Sequence, residues 1–234
     1  MQPCKLILAL DLSSRQSARH LLGQLDGELR WVKVGLQMFT AHGPEWVREI
    51  AELGYRIFLD LKLHDIPHTV AKSVQSLCHL PIDMLTLHSS GGEEMLAAAE
   101  KAKRELNPDL LLLGVTVLTS MNAAQLNRIG VGNTPEEQVA NLAALTRDAG
   151  IGGLVCSGRD LVSLAPRFGR SLQFVTPGIR PAGSSAHDQK RVVTPRRAAE
   201  LGSHYIVVGR PIHQAHYPRG VVRTINRELA LGDS

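Results

Sequence analysis

Two textures alternate along this chain. Short apolar runs recur roughly every 25–30 residues, and each is followed by a stretch with helix-like spacing of apolar positions. The runs predict strands at 5–11, 31–36, 56–63, 84–89, 110–118, 153–157, 173–177 and 205–209. Several are near-continuous apolar runs, such as Leu6-Ile7-Leu8-Ala9-Leu10. A strand with one wet face alternates in polarity; a strand buried on both faces of a parallel sheet does not. The stretches between carry helix signals. Ser13 and Ser14 are candidate caps for a helix running toward Gln24. His42-Gly43-Pro44-Glu45 opens a helix expected to end at Leu53-Gly54. Thr134-Pro135-Glu136-Glu137 joins a threonine cap, a proline at the first position and acids at the positive helix end. That helix runs to Ala149-Gly150, and Thr194-Pro195 starts another that ends near Leu201-Gly202. Strand-then-helix units without a polar linker predict one α/β domain over residues 1–234, a (β/α)₈ TIM barrel. A doubly wound open sheet fits the same pattern. One connection differs. Residues 181–193 are long, polar and rich in small side chains, and they follow the seventh strand, where barrel active-site loops lie. A lid closing over a ligand is expected there.

Composition narrows the class. A chain of 234 residues, 44% hydrophobic, can bury one sizeable core, and with 4% aromatics that core is expected to rest on Leu, Ile, Val and Ala. Met1-Gln2-Pro3-Cys4-Lys5 lacks a signal-peptide layout, and no apolar run approaches the roughly 20 residues of a membrane span. Cys4, Cys78 and Cys156 lack disulfide or metal spacing. These features predict a cytoplasmic protein that does not engage a membrane. From Pro166 onward there are 11 Lys/Arg against 4 Asp/Glu, while the preceding part carries more acids than bases. Solvated surface charge and an anionic ligand held by the C-terminal part both fit. Nucleic acid does not, because no basic run has interleaved aromatics.

The chemistry concentrates in residues 60–69, Asp-Leu-Lys-Leu-His-Asp-Ile-Pro-His-Thr. Asp60 and Lys62 alternate on a predicted strand and so share a face, with Asp65 just beyond. Burying unlike charges together costs several kcal/mol per ion unless the geometry repays it. Folding alone has no use for such a cluster. Other polar residues fall at predicted strand ends: Asp11, Lys33, Thr119, Ser120, Arg180 and Arg210. In a barrel these ends converge on one mouth. Val208-Gly209-Arg210-Pro211-Ile212 reads as a phosphate site, with glycine opening the backbone and arginine adding a bidentate contact. His64 and His68 have metal-pair spacing, but Pro67 interrupts the helix between them and local hydrogen bonding is the expected role. His88, at the end of the fourth strand, stays open between a buried histidine and a site residue. Ser89-Ser90-Gly91-Gly92 is expected to be a strand-to-helix turn. Gly150-Ile151-Gly152-Gly153 precedes a strand, so it is no dinucleotide fingerprint.

Asp60-x-Lys62-x-x-Asp65-Ile66-Pro67-x-Thr69 resembles the hallmark of orotidine 5′-phosphate decarboxylases of the bacterial type. The resemblance begins at Leu8-Ala9-Leu10-Asp11 and Val32-Lys33-Val34-Gly35 and passes through Leu87-His88-Ser89-Ser90-Gly91-Gly92 and Val115-Thr116-Val117-Leu118-Thr119-Ser120. It continues through Thr176-Pro177-Gly178-Ile179-Arg180-Pro181, Asp188-Gln189-x-Arg191, Thr194-Pro195 and the Gly209-Arg210 segment. The D-x-K-x-x-D core is shared with relatives acting on sugar phosphates; the extension to Ile66-Pro67-x-Thr69 is the specific part. The resemblance implies conversion of orotidine 5′-phosphate to UMP, the last step of de novo pyrimidine synthesis, with no cofactor and no metal. It implies a homodimer with shared sites. Lys62 would protonate carbon 6 of the pyrimidine, within a charged tetrad of Lys33, Asp60, Lys62 and Asp65 of the partner subunit. Asp11 and Lys33 would touch the ribose, with Thr69 reaching in from the partner. Thr119 and Ser120 would face the pyrimidine. Arg180, Gln189, Gly209 and Arg210 would take the phosphate, Gln189 from the lid.

Overall fold

The predicted strands form, and they close into a barrel. The computed structural model describes residues 3–181 and 193–232. Within them β1 (Lys5–Ala9), β2 (Trp31–Gly35), β3 (Arg56–Leu63), β4 (Met84–His88), β5 (Leu111–Val115), β6 (Gly153–Val155), β7 (Gln173–Thr176) and β8 (Tyr205–Val208) pair in parallel, in chain order. β1 pairs with both β2 and β8, which excludes the open sheet. Most strands stop before their predicted ends. The ladder ends at Ala9 and Val115, and the residues beyond, among them Asp11 and Thr119, leave the sheet to build the rim.

Helices follow every strand: α1 (Arg15–Gln24), α2 (Leu36–Glu52), α3 (Pro67–Leu77), α4 (Glu93–Leu106), α5 (Ala123–Arg128), α6 (Pro135–Asp148), α7 (Leu161–Phe168), α8 (Pro195–Glu200), α9 (Arg210–His213) and α10 (Pro218–Gly232). Ser14 caps α1 by accepting the Ser17 N–H at 3.2 Å. Thr134 and Glu137 cap each other's backbone at the start of α6. α2 differs from expectation. It starts at Leu36, and the Gly43-Pro44 step is a joint inside it, with Gly43 at φ 66° and ψ −166°. Proline lacks an N–H and disfavours helical geometry in the residue before it. A break between two helical pieces therefore looks in sequence like a helix start. Segment 182–192, with Gln189 and most of the expected lid, lies outside the described residues.

The core has two layers. Alternate strand residues point to opposite faces. Leu6, Leu8, Val32, Val34, Ile57 and Leu59 face the helices. Ile7, Ala9, Trp31, Phe58, Met84, Leu113, Val175, Tyr205 and Val207 fill the barrel. Aliphatic residues dominate the outer layer as expected, but the interior depends on scarce aromatics. Trp31 and Tyr205 meet edge to face at 5.2 Å, and Phe58 is 2% exposed. Among the described residues no helix is long and apolar enough to cross a membrane.

Candidate active site

The interior pattern accounts for the site. The inward series on β1 passes Ile7 and Ala9 and reaches Asp11; on β2 it passes Trp31 and reaches Lys33; on β3 it passes Phe58 and reaches Asp60. The apolar plug thus ends in charged residues at the C-terminal mouth, the end where barrels carry their chemistry. Lys33 and Asp60 are among the few buried charged side chains, at 8% and 9% exposure.

They are paired closely. Asp60 Oδ1 accepts a hydrogen bond from Lys62 Nζ at 2.7 Å, and Asp60 Oδ2 lies 3.5 Å from Lys33 Nζ. Lys33 also donates to Asp11 Oδ1 at 3.1 Å. Burial pushes the Asp60 carboxyl up, but the charges of Lys33 and Lys62 and hydrogen bonds from Lys62 and Thr86 outweigh it and leave its pKa below the ordinary value. Asp60 therefore stays ionised at neutral pH. The stability from this pairing is lost only in acid, as pH falls through the depressed folded value. Gly35 makes the crowding possible: a Cβ there would sit 2.7 Å from Lys33 Nζ and 3.1 Å from Asp11 Oδ1.

Lys62 and Asp60 meet, but simple strand alternation is not the cause. The β3–β4 register shifts between Leu59 and Leu63, and Lys62 has φ 52°, the one positive φ outside glycine among the described residues. Such a backbone costs about 1–3 kcal/mol and persists only where neighbours enforce it.

Two adjoining cavities open at the mouth. One, of about 170 Å³, is lined by Lys33, Asp60, Lys62, Thr119 and Cys156. The other, of about 380 Å³, is lined by Asp11, Lys33, Arg180, Gly209, Arg210 and His213. They share Lys33, Pro177 and Val207. The first is walled mainly by carbon and carries the ion pairs; the second is rich in cations. His213, which the sequence reading passed over, is held below its usual pKa by burial, then raised by the Asp11 charge and lowered by Arg210. Larger grooves of about 480 and 790 Å³ lie at the opposite end, beside Lys5 and Trp31 and beside Gly152 and His204. In barrels that end serves stability.

Other expected site residues lie apart. Asp65 is exposed, accepts the N–H of Ile66 at 2.7 Å and makes no ion pair among the described residues. Thr69 is exposed in the first turn of α3, and Ile66 beside it is 65% exposed. Ser120 is exposed in the turn after β5, while Thr119 reaches the smaller cavity. His64 and His68 are both exposed, and His64 packs against His88 with ring centroids 5.3 Å apart. Burial, then the charges of His64 and Lys62, lower the His88 pKa. Ser89–Gly91 forms a single turn leading to α4, with Gly92 at φ 90°. Among the described residues no three His, Cys, Asp or Glu side chains gather as a metal site.

Known proteins share both the sequence and the fold of this chain. An orotidine 5′-phosphate decarboxylase from Opitutus terrae is 52% identical over 226 residues, covering 97% of this chain and 98% of the relative. One from Pseudoalteromonas translucida is 45% identical over 226 residues, covering 96% of this chain and 97% of the relative. The crystal structure of the Lactobacillus acidophilus enzyme of that name superposes with a TM-score of 0.86 at 35% identity, covering 97% of this chain and 99% of the other. A match to the sequence profile of the family runs over residues 4–225, from the start of the first strand into the last helix. With fold and sequence in agreement over that length, the chain belongs to the orotidine 5′-phosphate decarboxylase / HUMPS family.

Proposed function

We propose that this chain decarboxylates orotidine 5′-phosphate to UMP, as a carboxy-lyase of de novo pyrimidine synthesis. The observation that carries the reading is the Lys33–Asp60–Lys62 cluster at the barrel mouth beside a cation-rich cavity. Loss of carbon dioxide leaves an electron pair on a ring carbon with little resonance help. A cation beside that carbon stabilises the charge and then delivers a proton. Lys62 is the proposed donor to carbon 6, and Asp60 fixes its ammonium in place. Unit charges ~4 Å apart interact by roughly 4 kcal/mol at an effective dielectric of 20, so the cluster acts strongly once water is excluded. Transition-state stabilisation comes first in this account; repulsion between Asp60 and the substrate carboxylate is secondary.

In the same proposal Asp11 and Lys33 hold the ribose, and Thr119 and Ser120 face the pyrimidine. Arg180, Gly209 and Arg210 take the phosphate, joined by Gln189. Binding energy from that distant phosphate organises the reacting end. The exposed Asp65 and Thr69 serve a neighbouring subunit's mouth, which makes the working unit a homodimer with shared sites. No cofactor takes part.

The family's name also covers sugar-phosphate chemistry, so the rival is a metal-dependent reaction on the same barrel. The relatives at 52% and 45% identity and the Ile66-Pro67-x-Thr69 extension favour the pyrimidine substrate. The test is direct. Chelator-treated protein is mixed with orotidine 5′-phosphate, and the pyrimidine absorbance and UMP are followed. Turnover that survives chelation supports the proposal. No turnover, or activity that vanishes with chelator and returns with magnesium, overturns it.

A further inference from the structure

Thr86 sits in the middle of β4, 0% exposed, facing the barrel interior next to the charged cluster. Barrel interiors are normally filled by branched apolar residues, and Val has the same shape as Thr. A buried hydroxyl instead costs free energy unless it is bonded. This one is bonded on both sides. Thr86 Oγ1 donates to Asp60 Oδ1 at 2.9 Å and accepts the backbone N–H of Lys62 at 2.9 Å. The proton direction is unambiguous, because the Lys62 N–H can only donate and an ionised carboxylate can only accept.

The backbone explains why a hydroxyl is needed. Leu59 pairs with Leu85 and Leu63 with Leu87, so Asp60, Leu61 and Lys62 lie opposite Thr86 alone. The extra residues form a bulge, and a bulge takes N–H groups out of the ladder. The Thr86 side chain supplies the acceptor that the ladder no longer gives Lys62. The bulge also holds Lys62 at φ 52°, a conformation needing outside support. Asp60 Oδ1 thus receives two donors, Lys62 Nζ and Thr86 Oγ1, one of which is anchored to the neighbouring strand.

We propose that Thr86 is a positioning residue: its hydroxyl locks the Lys62 backbone and the Asp60 carboxylate into one rigid unit, and so sets where the Lys62 ammonium points. Thr86 is wholly buried and lines neither cavity of the mouth, so it is placed to act through its neighbours and not on the substrate. It acts through Lys62 and Asp60, and its loss slows the proton-delivering step without weakening the distant phosphate grip. The inference rests on the decarboxylase reading for its readout.

The experiment compares Thr86→Val, Thr86→Ser and Thr86→Ala with the unmodified protein, on orotidine 5′-phosphate. Turnover by the unmodified protein is measured first. Its absence defeats the decarboxylase reading itself and is distinguished there from a failure of the Thr86 assignment. Thr86→Val keeps the shape and removes the hydroxyl. Its kcat is expected to fall about 30- to 100-fold, the scale of a small misplacement of a reacting group. KM is expected to stay within about threefold, since the phosphate contacts are untouched. Thr86→Ser keeps the hydroxyl and is expected to recover most of the kcat. Should Thr86→Val fail to fold, the serine and alanine variants, which differ only in the hydroxyl, decide the matter: serine is expected to exceed alanine by about tenfold or more in kcat. Equal kcat in those two variants, or a Thr86→Val protein with normal kcat, overturns the assignment. So does a loss that appears in KM alone.

Discussion

The two sides of the barrel mouth are built differently. On β2, β3 and β4 the polar groups belong to the strands themselves: Lys33, Asp60, Lys62 and Thr86. They bond to one another, at 2.7 to 2.9 Å from Asp60 Oδ1 to Lys62 and Thr86. On the β7 and β8 side the polar groups lie beyond the strand ends, Arg180 after Thr176 and Arg210 after Val208, around the larger cavity. Arg180 is tied by its backbone N–H to the Val193 carbonyl at 3.0 Å, where the chain returns from the segment that contains Gln189. The first side is preorganised by ladder geometry; the second is organised by rim segments. Preorganised charge lowers barriers, and rim contacts hold substrate. Substitutions on the two sides should therefore separate into kcat effects and KM effects.

The largest expected effect is on the strand side. Lys62→Ala removes the proposed stabilising cation and proton donor, and kcat is expected to drop by roughly 10⁴-fold or more. Lys33 remains to pair with Asp60, so the fold should survive, as thermal melting will check. Near-normal turnover would remove Lys62 from its assigned role.

Next is the proposed link between subunits. Asp65→Ala is expected to lower kcat by about 10²- to 10³-fold, as removal of a fixed electrostatic group does. Mixing Lys62→Ala with Asp65→Ala protein tests whose site Asp65 serves. Random exchange makes about half the dimers mixed, each with one doubly altered and one intact site, so about a quarter of all sites should recover. Verified subunit exchange with no recovery would return Asp65 to its own subunit and end the shared-site proposal.

The rim side should answer differently. Arg210→Ala is expected to lower kcat/KM by about 100-fold on orotidine 5′-phosphate, chiefly through KM, because the proposed charged contact to the phosphate is lost. Turnover of the unphosphorylated nucleoside, slow from the start, should barely change. Equal losses on both substrates would move Arg210 away from the phosphate.

The same contrast explains what the sequence disclosed. Strand-borne features were legible because the period-two pattern and barrel closure leave few alternatives: Asp11, Lys33 and Asp60 continue the inward apolar series of their strands. Thr119, Ser120, Arg180 and Arg210 were legible from their place after predicted strand ends, and the resemblance added Thr69 and Gln189. Thr86 was missed because a single threonine inside Met-Leu-Thr-Leu reads as a β-former, and its partner, the Lys62 bulge, has no local sequence mark. Gly35 was quoted in a motif, yet its role in leaving room for the Lys33–Asp11 pair is visible only in three dimensions. The Gly43-Pro44 joint was misjudged because a helix start and a break between two helical pieces share one chemistry. His213 was missed because the single turn of α9 turns it back toward the cavity, a placement no spacing rule gives.

The smallest predicted effect separates a rim anchor from an ordinary helix cap. Thr194 and Thr134 are both N-caps followed by proline, and each accepts a backbone N–H at 3.2 Å, from Arg197 and from Glu137. Either threonine-to-alanine change is expected to cost ~1 kcal/mol of stability. In a protein of this size that lowers Tm by about 2–4 °C. Their surroundings differ. Thr194 follows Val193, whose carbonyl holds the backbone of Arg180 at the cation-rich cavity. Thr134 starts α6, away from either cavity at the mouth. Thr194→Ala should therefore raise KM about two- to threefold with kcat unchanged, whereas Thr134→Ala should leave both constants alone. A common Tm loss with a KM change in Thr194→Ala alone supports a rim whose grip depends on how its chain ends are fastened. Equal KM values in the two variants would mean that Arg180 is held by its own burial, and that the rim is as preorganised as the strands.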